Sequence, residues 1–185
     1  MIDIITGPMF AGKTEELIRR LRRAEIAGKH FVVFKSQLDD RYAGIDTVCS
    51  HGGLTYPALP VPDSEAINDI FWSIYTDFDK EVPRIIAIDE AQFLDEGLVE
   101  VVDRIANLGI QVIIVGLDTD YTDNPFGPMP ALMAKAENVQ KLSAVCMKCG
   151  GEATKTFRKT EDIEQIKVGE KDTYEARCRH CWCIR

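Results

Sequence analysis

Residues 7–14 read Gly-Pro-Met-Phe-Ala-Gly-Lys-Thr, a G-x-x-x-x-G-K-[ST] pattern, and their flanks leave few folds open. The run before them, Ile2–Thr6, is short, largely apolar and ended by Gly7-Pro8, so it reads as a buried strand. From Lys13 onward Leu17, Ile18 and Leu21 recur at helical spacing, while Arg19, Arg20, Arg22 and Arg23 fill the polar side and Gly28 supplies a stop. Phe31, Val32, Val33, Phe34 and Lys35 form the next strand. Strand, loop, helix and strand make a βαβ opening. Its strands are continuous apolar runs, as a parallel sheet covered on both faces requires.

The loop spacing has a mechanical reason. Glycines let the chain curl until successive backbone N–H groups point inward at phosphate oxygens, and the helix that follows adds its positive end. Lys13 is placed to reach β- and γ-phosphates, and the Thr14 hydroxyl to bind Mg²⁺. A second chemical feature closes the strand at 84–88, which runs into Asp89-Glu90. In phosphate-loop proteins an Asp at such a strand end supports Mg²⁺. Glu90 is the next residue and points elsewhere; it can activate a water, as in an NTPase, or a substrate hydroxyl, as in a kinase. Arg41 follows Asp39 and Asp40, and two roles stay open for it: a phosphate partner, or a surface ion pair with those aspartates.

Between these features, 39–62 is broken by glycines and prolines, with short β segments expected at 45–49 and 54–56. Asp63 or Ser64 can cap a helix bearing Ile67, Ile70, Phe71 and Ile74. A helix over 96–107, a strand over 110–115, a short helix over 131–136 and a strand over 139–145 complete the reading. Charge narrows the partners. The net charge of -8 is the wrong sign for a protein that lives on nucleic-acid backbones or anionic membranes. No window is long and apolar enough for a membrane span, and Met1 leads directly into the first strand without a basic leader, so the cytoplasm is the expected location.

The last part of the chain carries Cys146-Met147-Lys148-Cys149 and Cys178-Arg179-His180-Cys181, two C-x-x-C pairs separated by 28 residues. In a cytoplasmic protein such pairs read as a tetrahedral Cys₄ zinc site, closed and therefore structural. Cys183 can substitute for Cys181, and His180 is a further possible ligand. The spacer is longer than usual for a zinc ribbon, so the metal would staple the base of a loop.

Taken together, Gly-Pro-Met-Phe-Ala-Gly-Lys-Thr at 7–14, Asp-Asp-Arg-Tyr at 39–42, Asp-Glu-Ala-Gln-Phe at 89–93, Gly-Leu-Asp-Thr-Asp-Tyr at 116–121, Pro-Phe-Gly at 125–127 and Ala-Val-Cys-Met-Lys-Cys at 144–149 resemble the type II thymidine kinases. The resemblance implies a RecA-like α/β domain with a parallel sheet over 1–140 and a small zinc-bearing lasso domain over 141–185. It implies transfer of the γ-phosphoryl group of ATP to the 5′-hydroxyl of thymidine, a homotetramer, and inhibition by dTTP. Carried over by position, Glu90 becomes the general base and Arg41 stabilises transferred charge. Gly7, Pro8, Met9, Phe10, Ala11, Gly12, Lys13, Thr14, Asp89 and Gln92 serve ATP and Mg²⁺. Met9, Phe93, Leu117, Tyr121, Phe126, Thr156 and Tyr174 line the nucleoside pocket, and Cys146, Cys149, Cys178 and Cys181 hold zinc. Two departures are visible: Tyr121 stands where many relatives have Phe, and Asp123 replaces a basic residue. The rival reading is a phosphate-loop ATPase whose zinc ribbon binds nucleic acid or protein through Lys148, Lys155, Arg158, Lys159, Arg177 and Arg179.

Overall fold

The computed structural model describes residues 1–38, 47–49, 55–160 and 172–184. In chain order the elements are β1 (Ile2–Thr6), α1 (Lys13–Ile26), β2 (Phe31–Ser36), β3 (Thr47–Cys49), β4 (Thr55–Pro57), β5 (Leu59–Val61), α2 (Ser64–Tyr75) and β6 (Ile85–Asp89). A 3₁₀ turn (Ala91–Phe93), α3 (Leu98–Asn107), β7 (Gln111–Gly116), α4 (Met129–Lys135) and β8 (Asn138–Lys141) follow. The last elements are β9 (Ala144–Val145), β10 (Glu152–Ala153), β11 (Lys155–Arg158), β12 (Tyr174–Arg177) and α5 (Arg179–Cys183).

Six strands form one sheet in the order β5-β2-β6-β7-β1-β8, and every pairing in it is parallel. Alternate side chains feed two separate cores. Ile4, Phe34, Ile86, Ile88, Val112 and Ile114 pack under α2, α3 and α4, while Ile5, Val33, Ala87, Ile113 and Val115 pack under α1. This burial on both faces is why the strands read as unbroken apolar runs rather than alternating ones. The strand order places β7 between the phosphate-loop strand and the acidic strand, giving the RecA-like α/β arrangement that the sequence implies. Among the described residues no helix is long and apolar enough to cross a membrane.

Local differences from the sequence reading have physical causes. Of the two possible caps of α2, Asp63 takes the position: its carboxylate accepts from the Ala66 N–H at 2.9 Å. Asp95 binds the other side of that helix start, accepting from the Ser64 N–H and hydroxyl at 2.7 Å each. The single strand expected over 139–145 is two. β8 extends the main sheet beside β1, whereas β9 pairs with β10 among the cysteines. The third strand of the middle region, β5, contains Pro60 and stands at the sheet edge, where a missing N–H costs no ladder bond.

Candidate functional site

The carboxyl ends of β1, β6 and β7 converge on one edge of the sheet, the place where open α/β sheets bind ligands. From β1 the chain enters the phosphate loop. Gly7 has φ 140°, Phe10 65° and Gly12 77°, conformations that curl the loop, and Gly12 hands over to α1. The Lys13 ammonium folds back over the loop and donates to the Pro8 carbonyl at 2.9 Å. Thr14 follows in the first turn of α1.

The outer side of this loop is a packing surface. The Met9 N–H donates to the Thr156 hydroxyl at 3.1 Å, a buried bond between residues 147 apart in sequence. Phe10 and Ala11 pack against Ala144, Cys146, Ala153 and Ala176 of the cysteine-bearing segment. The phosphate loop is thus seated on the C-terminal module by a hydrogen bond and an apolar contact.

At the end of β6, Asp89 is buried and accepts from the Glu90 N–H at 3.0 Å. Glu90 itself adopts the left-handed conformation, φ 54° and ψ 41°, unusual for a residue with a side chain and common where a site imposes its geometry. That turn separates the directions of Asp89 and Glu90, so two adjacent carboxylates can serve different partners. Gln92 is buried in the 3₁₀ turn. Its amide nitrogen donates to Glu90 Oε2 at 2.5 Å and its amide oxygen accepts from the Leu117 N–H at 3.0 Å.

Beside these groups lies an apolar cluster of Met9, Leu117, Phe126 and Tyr174, with Phe10, Phe93 and Tyr121 packed against it. Phe93 and Phe126 meet edge to face, their ring centroids 5.7 Å apart. The loop carrying Tyr121 is shaped by Asp120, whose carboxylate accepts from Thr122 N and Oγ1 and from Asn124 N at 2.8, 2.6 and 3.1 Å. Asp123 of the same loop pairs with Lys155 of β11. Asp123 therefore ties its loop to β11 of the cysteine-bearing segment.

One residue in this cluster escaped the sequence reading as a site residue. Arg158 counted there only as a surface cation for the rival function. It is buried, stacks 3.7 Å from the Tyr121 ring centroid, and donates to the Tyr174 hydroxyl at 2.6 Å. Arg177, half-buried on the opposite face of the hairpin, lies 3.3 Å from the Phe157 ring centroid and pairs with Glu175. The signal available in sequence was the strand alternation that puts Thr156, Arg158, Tyr174 and Ala176 on one face of the β11–β12 hairpin.

The four cysteines of the two C-x-x-C pairs meet. Their Sγ atoms all lie within 4.8 Å of one another, and Cys149 Sγ and Cys178 Sγ are 3.7 Å apart. Tetrahedral zinc with sulfur at about 2.3 Å needs an S···S edge of about 3.8 Å, so this donor set fits such an ion. The knuckle at Cys146 is closed by Cys146 N donating to Gly151 O and Gly150 N to Cys146 O, at 2.7 and 2.8 Å. Backbone N–H groups, that of Cys178 foremost, hold the Cys146 thiol down to about 6, a thiolate-favouring environment. Cys183, the alternative ligand, is outside the cluster. Arg41, the Asp39-Asp40 pair and the middle of the stapled loop, 161–171, lie outside the described residues.

Among solved structures, the chain is similar to the Pif1 helicase from Candida albicans at 17% identity and a TM-score of 0.47, covering 77% of this chain and 36% of that one. It is also similar to domain III of the replication initiation protein DnaA from Thermotoga maritima, at 14% identity and a TM-score of 0.41, covering 76% of this chain and 54% of that one. The chain thus spans about a third and about half of those two proteins, and at these scores neither likeness bears on what it acts upon. The match to a family is of another order: a model described as thymidine kinase matches residues 1–182, a span that takes in the phosphate loop, the acidic strand end, the aromatic cluster and all four clustered cysteines. The chain belongs to the thymidine kinase family.

Proposed function

We propose that the protein transfers the γ-phosphoryl group of ATP to the 5′-hydroxyl of thymidine, giving dTMP and ADP. The observation that carries this reading is the juxtaposition, at one sheet edge, of a phosphate loop, a strand ending in Asp89-Glu90 and the aromatic cluster of Phe93, Tyr121, Phe126 and Tyr174. The family supports it, since it names the kinase and its acceptor.

In this reading the backbone of 7–14 and the Lys13 ammonium cradle the triphosphate, and Thr14 and Asp89 hold Mg²⁺. That ion, when bound, neutralises charge on the β- and γ-oxygens. Met9, Phe93, Leu117, Tyr121, Phe126, Thr156 and Tyr174 enclose the nucleoside and exclude water that would otherwise consume ATP. Glu90 accepts the 5′-hydroxyl proton as that oxygen bonds to the γ-phosphorus and the bond to the β–γ bridging oxygen breaks. Arg41 stabilises the transferred charge. Cys146, Cys149, Cys178 and Cys181 would hold a structural zinc, which would tie together the two ends of the segment between the cysteine pairs. The same reading divides the chain into a nucleotide-binding domain over 1–140 and a lasso domain over 141–185, in a cytoplasmic homotetramer restrained by dTTP.

The test is an ATP-dependent phosphorylation assay with thymidine, deoxyuridine, deoxycytidine and deoxyadenosine as acceptors. Thymidine phosphorylation well above the purine and cytosine nucleosides is expected. ATP hydrolysis that responds to nucleic acid and is indifferent to nucleosides would transfer the assignment to the ATPase reading, which already has to explain why Arg158, Arg177 and Lys155 are engaged inside the protein.

A further inference from the structure

We propose that Gln92 is a positioning residue that aims the Glu90 carboxylate and locks it to the wall of the acceptor pocket, and that it does not serve as a ligand for ATP or Mg²⁺. The proposal rests on the reading of Glu90 as general base.

Both ends of the Gln92 amide are committed inside the protein. The nitrogen end faces a carboxylate, which only accepts, and the oxygen end faces a backbone N–H, which only donates. Chemistry therefore fixes the orientation of the amide without reference to hydrogen positions. With 2% of its surface exposed and each end of its amide engaged by a protein partner, Gln92 is withdrawn from the surface where a phosphate would lie. Its environment is also tight. A Cβ on Gly116 would come within 2.8 Å of Gln92 Oε1 and 2.7 Å of Met129 Sδ, so the end of β7 is shaped to let this amide in.

The geometry gives Gln92 a definite task. Glu90 sits in a left-handed turn, and the donor from Gln92 fixes the direction of its Oε2 within that turn. The Leu117 N–H at the other end belongs to the residue that opens the Leu117–Phe126 loop beside the aromatic cluster. One amide thus spans from the base to the surface against which the acceptor lies. A base misplaced by about 1 Å can lose roughly 10²-fold in rate.

The test is a double-mutant cycle in the full chain with zinc bound, reading kcat, KM for thymidine and KM for ATP. Gln92→Met keeps the volume and removes both hydrogen bonds; kcat is expected to fall by about 10–100-fold with KM for ATP within about twofold of wild type. In a Glu90→Gln background the same substitution should cost less than about twofold, because a residue that acts through Glu90 has nothing left to aim. Equal losses in both backgrounds would overturn the proposal. Gln92→Glu keeps an acceptor for the Leu117 N–H but replaces the N–H donor to Glu90 with a second carboxylate, so kcat should fall by about 10–100-fold with KM for ATP within about twofold of wild type. Near-normal kcat in this variant counts against the proposal, and it serves if Gln92→Met does not fold. Normal turnover by Glu90→Gln alone would remove Glu90 from the base role, a result visible before Gln92 is altered.

Discussion

Replacing Gly7 by alanine separates two demands on the first residue of the phosphate loop. Its φ of 140° is a conformation that side chains rarely adopt, which costs about 1–3 kcal/mol. A Cβ there would also stand 2.3 Å from the Leu142 carbonyl oxygen, 3.1 Å from its carbon and 3.3 Å from its nitrogen. Relief requires a shift of about 1 Å, and Leu142 is poorly placed to give it. Its N–H donates to the Thr6 carbonyl at 2.7 Å, and the preceding residues are laddered to β1. Backbone overpacking of this kind adds about 1–3 kcal/mol, for a total of about 2–6 kcal/mol. For a chain of this length that is a fall in Tm of roughly 4–24 °C. Gly28→Ala is the control. Gly28 also has positive φ, 66°, but no atom lies within 4 Å of its notional Cβ. It should cost about 1 kcal/mol, or roughly 2–4 °C. Thermal unfolding followed by circular dichroism, without nucleotide, compares the two. Equal falls in Tm would refute the view that Leu142 makes position 7 special and leave backbone conformation as the whole explanation.

Removing zinc with a chelator should abolish thymidine binding and also weaken ATP binding, because the phosphate loop is seated on the cysteine-bearing module through Met9, Phe10 and Ala11; isothermal titration with each ligand separately reads both effects. Arg158→Lys should raise KM for thymidine by about 3–30-fold and leave KM for ATP near wild type, since an ammonium does not reproduce a planar cation stacked on Tyr121 and bonded to Tyr174. Glu16, held down to about 2 first by its hydrogen bonds from Arg19, contributes stability that is fully present above its unfolded value near 4.5 and lost as pH falls through about 2. Glu16→Gln should therefore cost about 0.5–1 kcal/mol near pH 7 and nothing once both forms are protonated, a difference that urea unfolding across pH measures.

Much of the fold could be read before any coordinates because periodicity and punctuation agreed. Phe31–Ser36, Ile85–Asp89 and Gln111–Gly116 are apolar runs bounded by turn residues, and nothing in the tertiary structure competes with that signal. β5 was hidden because Leu59-Pro60-Val61 is three residues long and contains a proline; only its edge position makes the proline harmless. The division of 138–145 was hidden for a different reason. The break falls at Leu142 and Ser143, where the Leu142 carbonyl lies close against Gly7 of the distant phosphate loop, a contact that local residue types do not announce. Within the candidate site, the placement of Lys13, Asp89 and Glu90 at the sheet edge and the meeting of the four cysteines were legible. Gln92 and Arg158 were read by type, as a polar ligand and a surface cation. The contacts each one makes come from what surrounds it, and a single chain of letters does not record that.

The seat of the phosphate loop on the C-terminal module has a consequence for how such a motif is understood. In G-x-x-x-x-G-K-[ST] the four middle positions look like spacers, chosen only to let the backbone curl. Here three of them form an outer wall: Met9 gives its N–H to Thr156, and Phe10 and Ala11 lean on Ala144, Cys146 and Ala176. A loop transplanted from another nucleotide-binding protein, with every signature residue intact, would still grip a triphosphate, yet its outer side would no longer match the module that carries Thr156 and Tyr174. The loop therefore has an inner face set by phosphate, which is general, and an outer face set by this fold alone. A pattern match reads only the first.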